Sequence, residues 1–224
     1  MQTAIGQRLN SSSVRLATAS AVAALVVASD LALVRWNLYP ESIQGRDLLA
    51  LIALAVNVRL VEGDLASVGL RLTPIQGWWY WGRVSVLIGI VVAACIVVGL
   101  GAWVLSGHDL PVYTTGPDHI DAAFLRMCVF APVLEETIYR LALCMPLAAL
   151  FGPWKTIAIS GLAFGGLHFA YGNPSPENLV GGWFLAWAYL KSESIVVPVI
   201  LHGLGNLCVL ASQVGAWYWL RGAG

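Results

Sequence analysis

From Phe124 to Phe151 the chain runs mostly apolar, long enough to cross a bilayer, and two adjacent acids, Glu135 and Glu136, stand inside that run. A charge at mid-membrane costs roughly 3 kcal/mol or more, so such residues point to function by default. Helical spacing divides their labour. Glu136 and Arg140 are i and i+4, neighbours on one face in the favoured orientation for an ion pair. Glu135 lies about 100° further round the helix. One carboxylate is neutralised by the arginine, and the other is left for chemistry.

Composition decides the environment of this run. The 224 residues are 58% hydrophobic and only 11% charged. That reads as an all-α, polytopic helical bundle in a membrane, with about seven to eight transmembrane helices and a single integral-membrane domain over residues 1–224. Net charge is zero and there is no basic arm or acidic tail, which excludes a nucleic-acid partner. Cys95, Cys128, Cys144 and Cys208 fall in apolar runs without a CxxC pair, so they read as small buried hydrophobes rather than disulfides or zinc ligands. Arg8 and Arg15 before an apolar stretch resemble a signal peptide, but the stretch continues to Leu33 and reads as a first span.

The spans fall at about 16–34, 48–62, 84–105, 119–150, 154–171, 178–190 and 195–219. Asp30 sits inside the first and has to face other helices or an interface. Pro132 and Pro146 are expected to kink or divide the fourth. Residues 63–81 form an amphipathic connector whose Trp78, Trp79, Tyr80 and Trp81 make an interfacial belt, and Trp217, Tyr218 and Trp219 make another. His108, Asp109, Asp118 and His119 lie in a Gly- and Pro-containing loop at 106–119 and read as solvated. Gly161 and Gly165 permit close helix packing. With the N-terminus inside, inner segments hold Arg8, Arg15, Arg59, Arg71, Arg83, Lys155 and Lys191, against Arg35, Arg46 and Arg221 outside, so a cytoplasmic N-terminus is expected.

Three further polar groups sit in late spans. Phe164 and His168 are i, i+4 in the fifth, and His202 and Asn206 are i, i+4 in the seventh, flanked by Gly203 and Gly205. A carboxylate withdrawn from water binds protons more tightly, which suits a general base near neutral pH. Glu135 is placed to take a proton from water, with His168 holding that water or sharing the proton. His202 and Asn206 are placed to donate hydrogen bonds to the oxyanion of a tetrahedral intermediate. These parts suit amide hydrolysis. The competing reading is that all four only lock helices together. Straight vertical helices would also leave His168 and His202 more than about 10 Å apart in depth.

EExxxR (Glu135, Glu136, Arg140), FxxxH (Phe164, His168) and HxxxN (His202, Asn206), in that order on successive spans, resemble the CAAX-protease and bacteriocin-processing (CPBP, or Abi) family of intramembrane glutamate proteases. The resemblance covers about residues 120–212, and Val68 to Pro74 also resembles a short LGLR-like segment upstream in the family. It implies an all-helical bundle, commonly of eight spans, with the active site sunk in the membrane. It implies Glu135 as the water-activating residue with His168 beside it, His202 and Asn206 at the oxyanion hole, and Glu136, Arg140 and Phe164 in support. It favours a metal-free mechanism without a cofactor, and a peptide or protein substrate at the membrane; eukaryotic members remove the last three residues of prenylated CaaX proteins. The alternatives are a zinc-dependent hydrolase with Glu135, His168 and His202 as ligands, a non-catalytic immunity or scaffold protein, and a proton-relaying transporter, which the missing inverted repeat disfavours. A compact polytopic chain without added domains fits a prokaryotic cytoplasmic membrane.

Overall fold

The computed structural model describes residues 1, 3–36, 43–109, 112–172 and 176–222; Pro111 of the expected loop and the Cys95 side chain lie outside the described set. Among these residues all regular structure is helical. The elements are α1 (Ser13–Arg35), α2 (Ile43–Leu60), α3 (Gly77–Leu105), α4 (Ile120–Phe124), α5 (Ala131–Glu136), α6 (Leu143–Phe151), α7 (Pro153–Ala170), α8 (Pro176–Ser192) and α9 (Val196–Gly222). Helical turns continue unbroken from α4 to α6, so the described residues form seven helical stretches, each overlapping an expected span, with α3 starting seven residues early. A segment that crosses hydrocarbon has to close its own backbone hydrogen bonds, which a helix does within itself.

The expected kinks take a specific form. Two π-helical turns, Leu125–Phe130 and Thr137–Ala142, join α4 to α5 and α5 to α6. Each ends a few residues before a proline, Pro132 in α5 and Pro146 in α6. Proline removes an N–H and crowds the carbonyl four residues back. A widened turn relieves that crowding without ending the helix. Elsewhere the ends are ordinary: the Ser12 hydroxyl accepts from Arg15 N at 3.4 Å to start α1, and Gly152 (φ 76) followed by Pro153 ends α6 and opens α7.

Three of the described helices, α1, α3 and α9, are by themselves long and apolar enough to cross a membrane, with mean hydropathies of 1.9, 2.8 and 1.5. α3 starts seven residues before the expected third span, so Trp78 to Trp81 belong to its first turn rather than to the connector. Trp81 is buried and donates to Gln76 Oε1 at 3.1 Å, while Trp78 and Trp79 face outward. Cys144 is buried, Cys128 half-buried and Cys208 exposed, so the reading of buried cysteines fails at Cys208.

The chain folds into two compact units. The first comprises Met1–Ile75 and Ala131–His202. Its core joins α1, α2, α5, α6 and α7 through Ala23, Val26, Ala53, Leu134, Leu143 and Phe164. A second cluster ties Ile5, Leu9, Val61, Val68, Met145 and Tyr189 together. Close packing of α7 on α8 follows from the glycines: a Cβ at Gly182 would stand 3.1 Å from Gly161 Cα, and one at Gly161 would overlap the Trp183 ring. The connector before α3 is locked to the turn between α8 and α9. Tyr189 OH donates to Val68 O at 2.9 Å, Ile195 N to Gly69 O at 2.8 Å, and Ser194 Oγ to Arg71 O at 2.5 Å. Glu193 (φ 51) turns its carboxylate to accept from Ala4 N at 2.6 Å. The Ser67 hydroxyl, at 2.9 Å, and Arg8, at 3.1 Å, hold the Asp64 carboxyl below its usual range.

Gly69 closes this lock. Its φ is +70, and a Cβ there would lie 2.6 Å from Tyr189 Cε2 and 3.1 Å from Ile5 Cδ1. Gly69→Ala is expected to destabilise the protein by about 1–3 kcal/mol, through left-handed strain and overpacking together. A thermal-unfolding midpoint in detergent equal to that of the parent chain would refute it.

The second unit comprises Gln76–Phe130 and Gly203–Gly224. Within it Thr115 Oγ1 donates to Gln213 Oε1 at 2.8 Å, and Arg221 covers the Trp217 ring at 4.4 Å. His108, Asp109, Asp118 and His119 are all exposed, as expected of a solvated loop, and His108 stacks on Trp103 at 4.1 Å.

Candidate active site

The centre of the first unit is a buried polar cluster. Glu135 and Glu136 close α5, and the π-helical turn that follows carries Tyr139 and Arg140. Arg140 Nε lies 2.9 Å from Glu136 Oε2, the i, i+4 pair that the spacing predicts, and both side chains are inaccessible. The N–H is not aimed at the oxygen, so the contact is Coulombic rather than an aligned hydrogen bond. Arg140 Nη1 donates to Ser160 Oγ at 3.1 Å, and the Ser160 hydroxyl donates in turn to Tyr139 O at 2.8 Å. The other Glu136 oxygen, Oε1, stands 2.9 Å from His202 Nδ1. Glu136 is therefore occupied on both sides.

Glu135 differs. It is 5% exposed, and its nearest charged partners stand beyond hydrogen-bond length: Arg46 Nη1 at 3.8 Å from Oε1 and His202 Nε2 at 3.9 Å from Oε2. Separations of this size are those a bridging water occupies. One acid is clamped, and the other is faced by two nitrogens that do not quite reach it.

Phe164 organises the ring wall of the site. Its ring meets His168 at 4.6 Å, His202 at 5.6 Å and Tyr139 at 5.7 Å, and the Arg140 guanidinium lies 4.7 Å from its centroid. The depth gap expected between the two histidines closes here. Phe164 sits one turn back from His168 on α7, and both imidazoles lean on the same ring. His168 Nδ1 bonds Phe164 O at 3.1 Å. A carbonyl only accepts, so Nδ1 is the donor in this bond.

Asn206 belongs to the second unit, where Nδ2 donates to Met127 O at 2.6 Å. In the i to i+5 pattern of that π-helical turn the partner of this carbonyl would be residue 132, and Pro132 has no N–H to give. The structure thus places Glu135, Glu136, Arg140, Phe164, His168 and His202 in one unit and Asn206 in the other.

Five residues at this site went unrecognised in the sequence. Asp30 and Arg46 form a buried pair, with Nε at 2.5 Å from Oδ1 and Nη2 at 3.2 Å from Oδ2. Tyr139 OH donates to Asp30 Oδ2 at 3.0 Å, and Arg46 Nη1 donates to Tyr171 OH. Arg46, expected on an outer loop, is only 2% exposed in α2 and so sets no loop charge. Opposite charges bracketing a short connection between apolar helices are the signal for Asp30 and Arg46. Ser160, Tyr139 and Tyr171 gave none, because hydroxyls are common in such helices. Among the described residues no three His, Cys, Asp or Glu side chains gather as a metal-ligand set, so Glu135, His168 and His202 do not form one.

The family model for type II CAAX prenyl endopeptidase Rce1-like proteins matches residues 119–208. Over this segment the chain is similar to that family. The match spans all three motifs and agrees with the family that they resemble. The Rce1-like family is a membrane-embedded protease family that acts on membrane-associated proteins. No curated protein and no solved structure matches the chain. Asp30 and Arg46 lie outside the matched segment, on α1 and α2, upstream of α3.

Proposed function

We propose that the chain is an intramembrane endopeptidase that hydrolyses a peptide bond with water activated by Glu135. The observation that supports this reading is the contrast between adjacent acids: Glu136 has Arg140 Nε and His202 Nδ1 at 2.9 Å, one on each oxygen, whereas Glu135 is buried with Arg46 Nη1 and His202 Nε2 no closer than 3.8 and 3.9 Å. A water bound between Glu135 Oε2 and His202 Nε2 gives a proton to the carboxylate, and its oxygen attacks the substrate carbonyl carbon. The water's second O–H stays intact and donates a hydrogen bond to His168 Nε2. The oxyanion takes a hydrogen bond from His202 Nε2–H. Because Nδ1 already faces Glu136, that donation belongs to the doubly protonated ring, whose charge Glu136 offsets. The oxyanion role of Asn206 rests on the HxxxN spacing alone. Collapse of the intermediate breaks the C–N bond, and Glu135 passes its proton to the leaving amine.

In this reading all seven helical stretches cross the bilayer with the N-terminus cytoplasmic. The substrate is a protein segment at the membrane face, and a lipidated tail is one form of it. The test compares membranes holding equal amounts of the parent chain and of Glu135→Gln, by mass spectrometry of new peptide termini across the proteome. Termini present only with the parent chain are expected, and they name the substrate. Identical termini in the two samples overturn the reading in favour of an immunity or scaffold role.

A further inference from the structure

We propose that Asp30 and Arg46 are a positioning pair for Glu135, in which Arg46 fixes Oε1 and thereby turns Oε2 toward His202. The inference rests on the reading of Glu135 as the base, and concerns two residues that none of the three motifs contains. Arg46 has little freedom. Nε and Nη2 are held by the two Asp30 oxygens at 2.5 and 3.2 Å, and Nη1 is held by the Tyr171 hydroxyl. Asp30 is held in turn by Tyr139 OH at 3.0 Å, from the turn that follows Glu135 on the same helical stretch. The guanidinium is thus fixed from α1, α2, the Tyr139 turn and the end of α7, and its Nη1 faces Glu135 Oε1 at 3.8 Å. His202 faces the other oxygen at 3.9 Å. The two oxygens of one carboxylate therefore have separate partners. A buried ion pair is weak support for stability, since apolar residues of similar size often do as well. Its value here lies in orienting a carboxylate whose reaction is sensitive to about 1 Å of misplacement.

The test uses the full chain in lipid nanodiscs. Asp30→Asn with Arg46→Gln removes both charges without leaving one buried alone, and Arg46→Lys keeps the charge but loses the fork. The substrate is a peptide spanning the cut site found from the termini. The second readout is the Glu135 carboxylate band, isolated as the infrared difference between each protein and the same protein carrying Glu135→Gln. For the double variant we expect an unchanged KM, a kcat lower by about 10²-fold, and a shifted carboxylate band, with an unfolding midpoint close to the parent. Arg46→Lys is expected to recover part of the kcat. A folded double variant with parental kcat, or with the band in its parental place, overturns the proposal. If Glu135→Gln itself still cleaves, the reading of Glu135 as the base falls, and the infrared band alone still decides whether Arg46 orients Glu135.

Discussion

Glu135→Gln is expected to lower kcat on the order of 10²–10⁴-fold, the range that a positioned general base supplies. The substitution is nearly isosteric and keeps a carbonyl oxygen, but the amide cannot take a proton from water. Folding should survive it. Glu135 makes no short ion pair, and its closest charged neighbours at 3.8 and 3.9 Å have other anchors: Asp30 for Arg46, and Glu136 for His202. The expected pattern is lost turnover with an unfolding midpoint near that of the parent. Glu135→Asp, whose carboxylate is withdrawn by one methylene, should also lose about 10²-fold, because reach matters as much as basicity. Full turnover by Glu135→Gln would remove the carboxylate from the mechanism.

Arg140→Met is expected to have the opposite signature, with stability lost first. Arg140 and Glu136 are both inaccessible and 2.9 Å apart. Removing the arginine strands the Glu136 charge away from water and deletes the bond to Ser160 and the contact with the Phe164 ring. Breaking one side of such a pair costs about 3–5 kcal/mol. Adding Glu136→Gln should return part of that loss, since the double variant removes both members of the Glu136–Arg140 pair. A denaturation series on the four proteins measures the coupling directly. If the double variant is no more stable than Arg140→Met alone, the pair is not what holds this turn.

The contrast between these two adjacent acids was readable from spacing, because i, i+4 geometry is local. The ion pair at Glu136 follows from the helix itself, with no reference to the rest of the fold. The bracing of Glu135 was not readable. Its neighbours Arg46 and His202 come from α2 and α9, far away in sequence, and no local period links them to position 135. For the same reason Arg46 looked like a loop charge until packing buried it against Asp30. The two histidines looked too far apart in depth because span boundaries locate backbone, whereas contact is made by side chains converging on Phe164.

By itself the sequence determined the helical class, the places of the seven helical stretches, and the Glu136–Arg140 pair. Apolar length and i, i+4 spacing are properties of a chain segment and need no partner. The tertiary structure decided the rest: which nitrogen faces each Glu135 oxygen, that Asp30 is the anchor of Arg46, and that prolines 132 and 146 are absorbed by π-helical turns rather than by breaks. Those outcomes depend on which helices come to lie side by side, and buried polar groups take whichever partners that packing brings within reach.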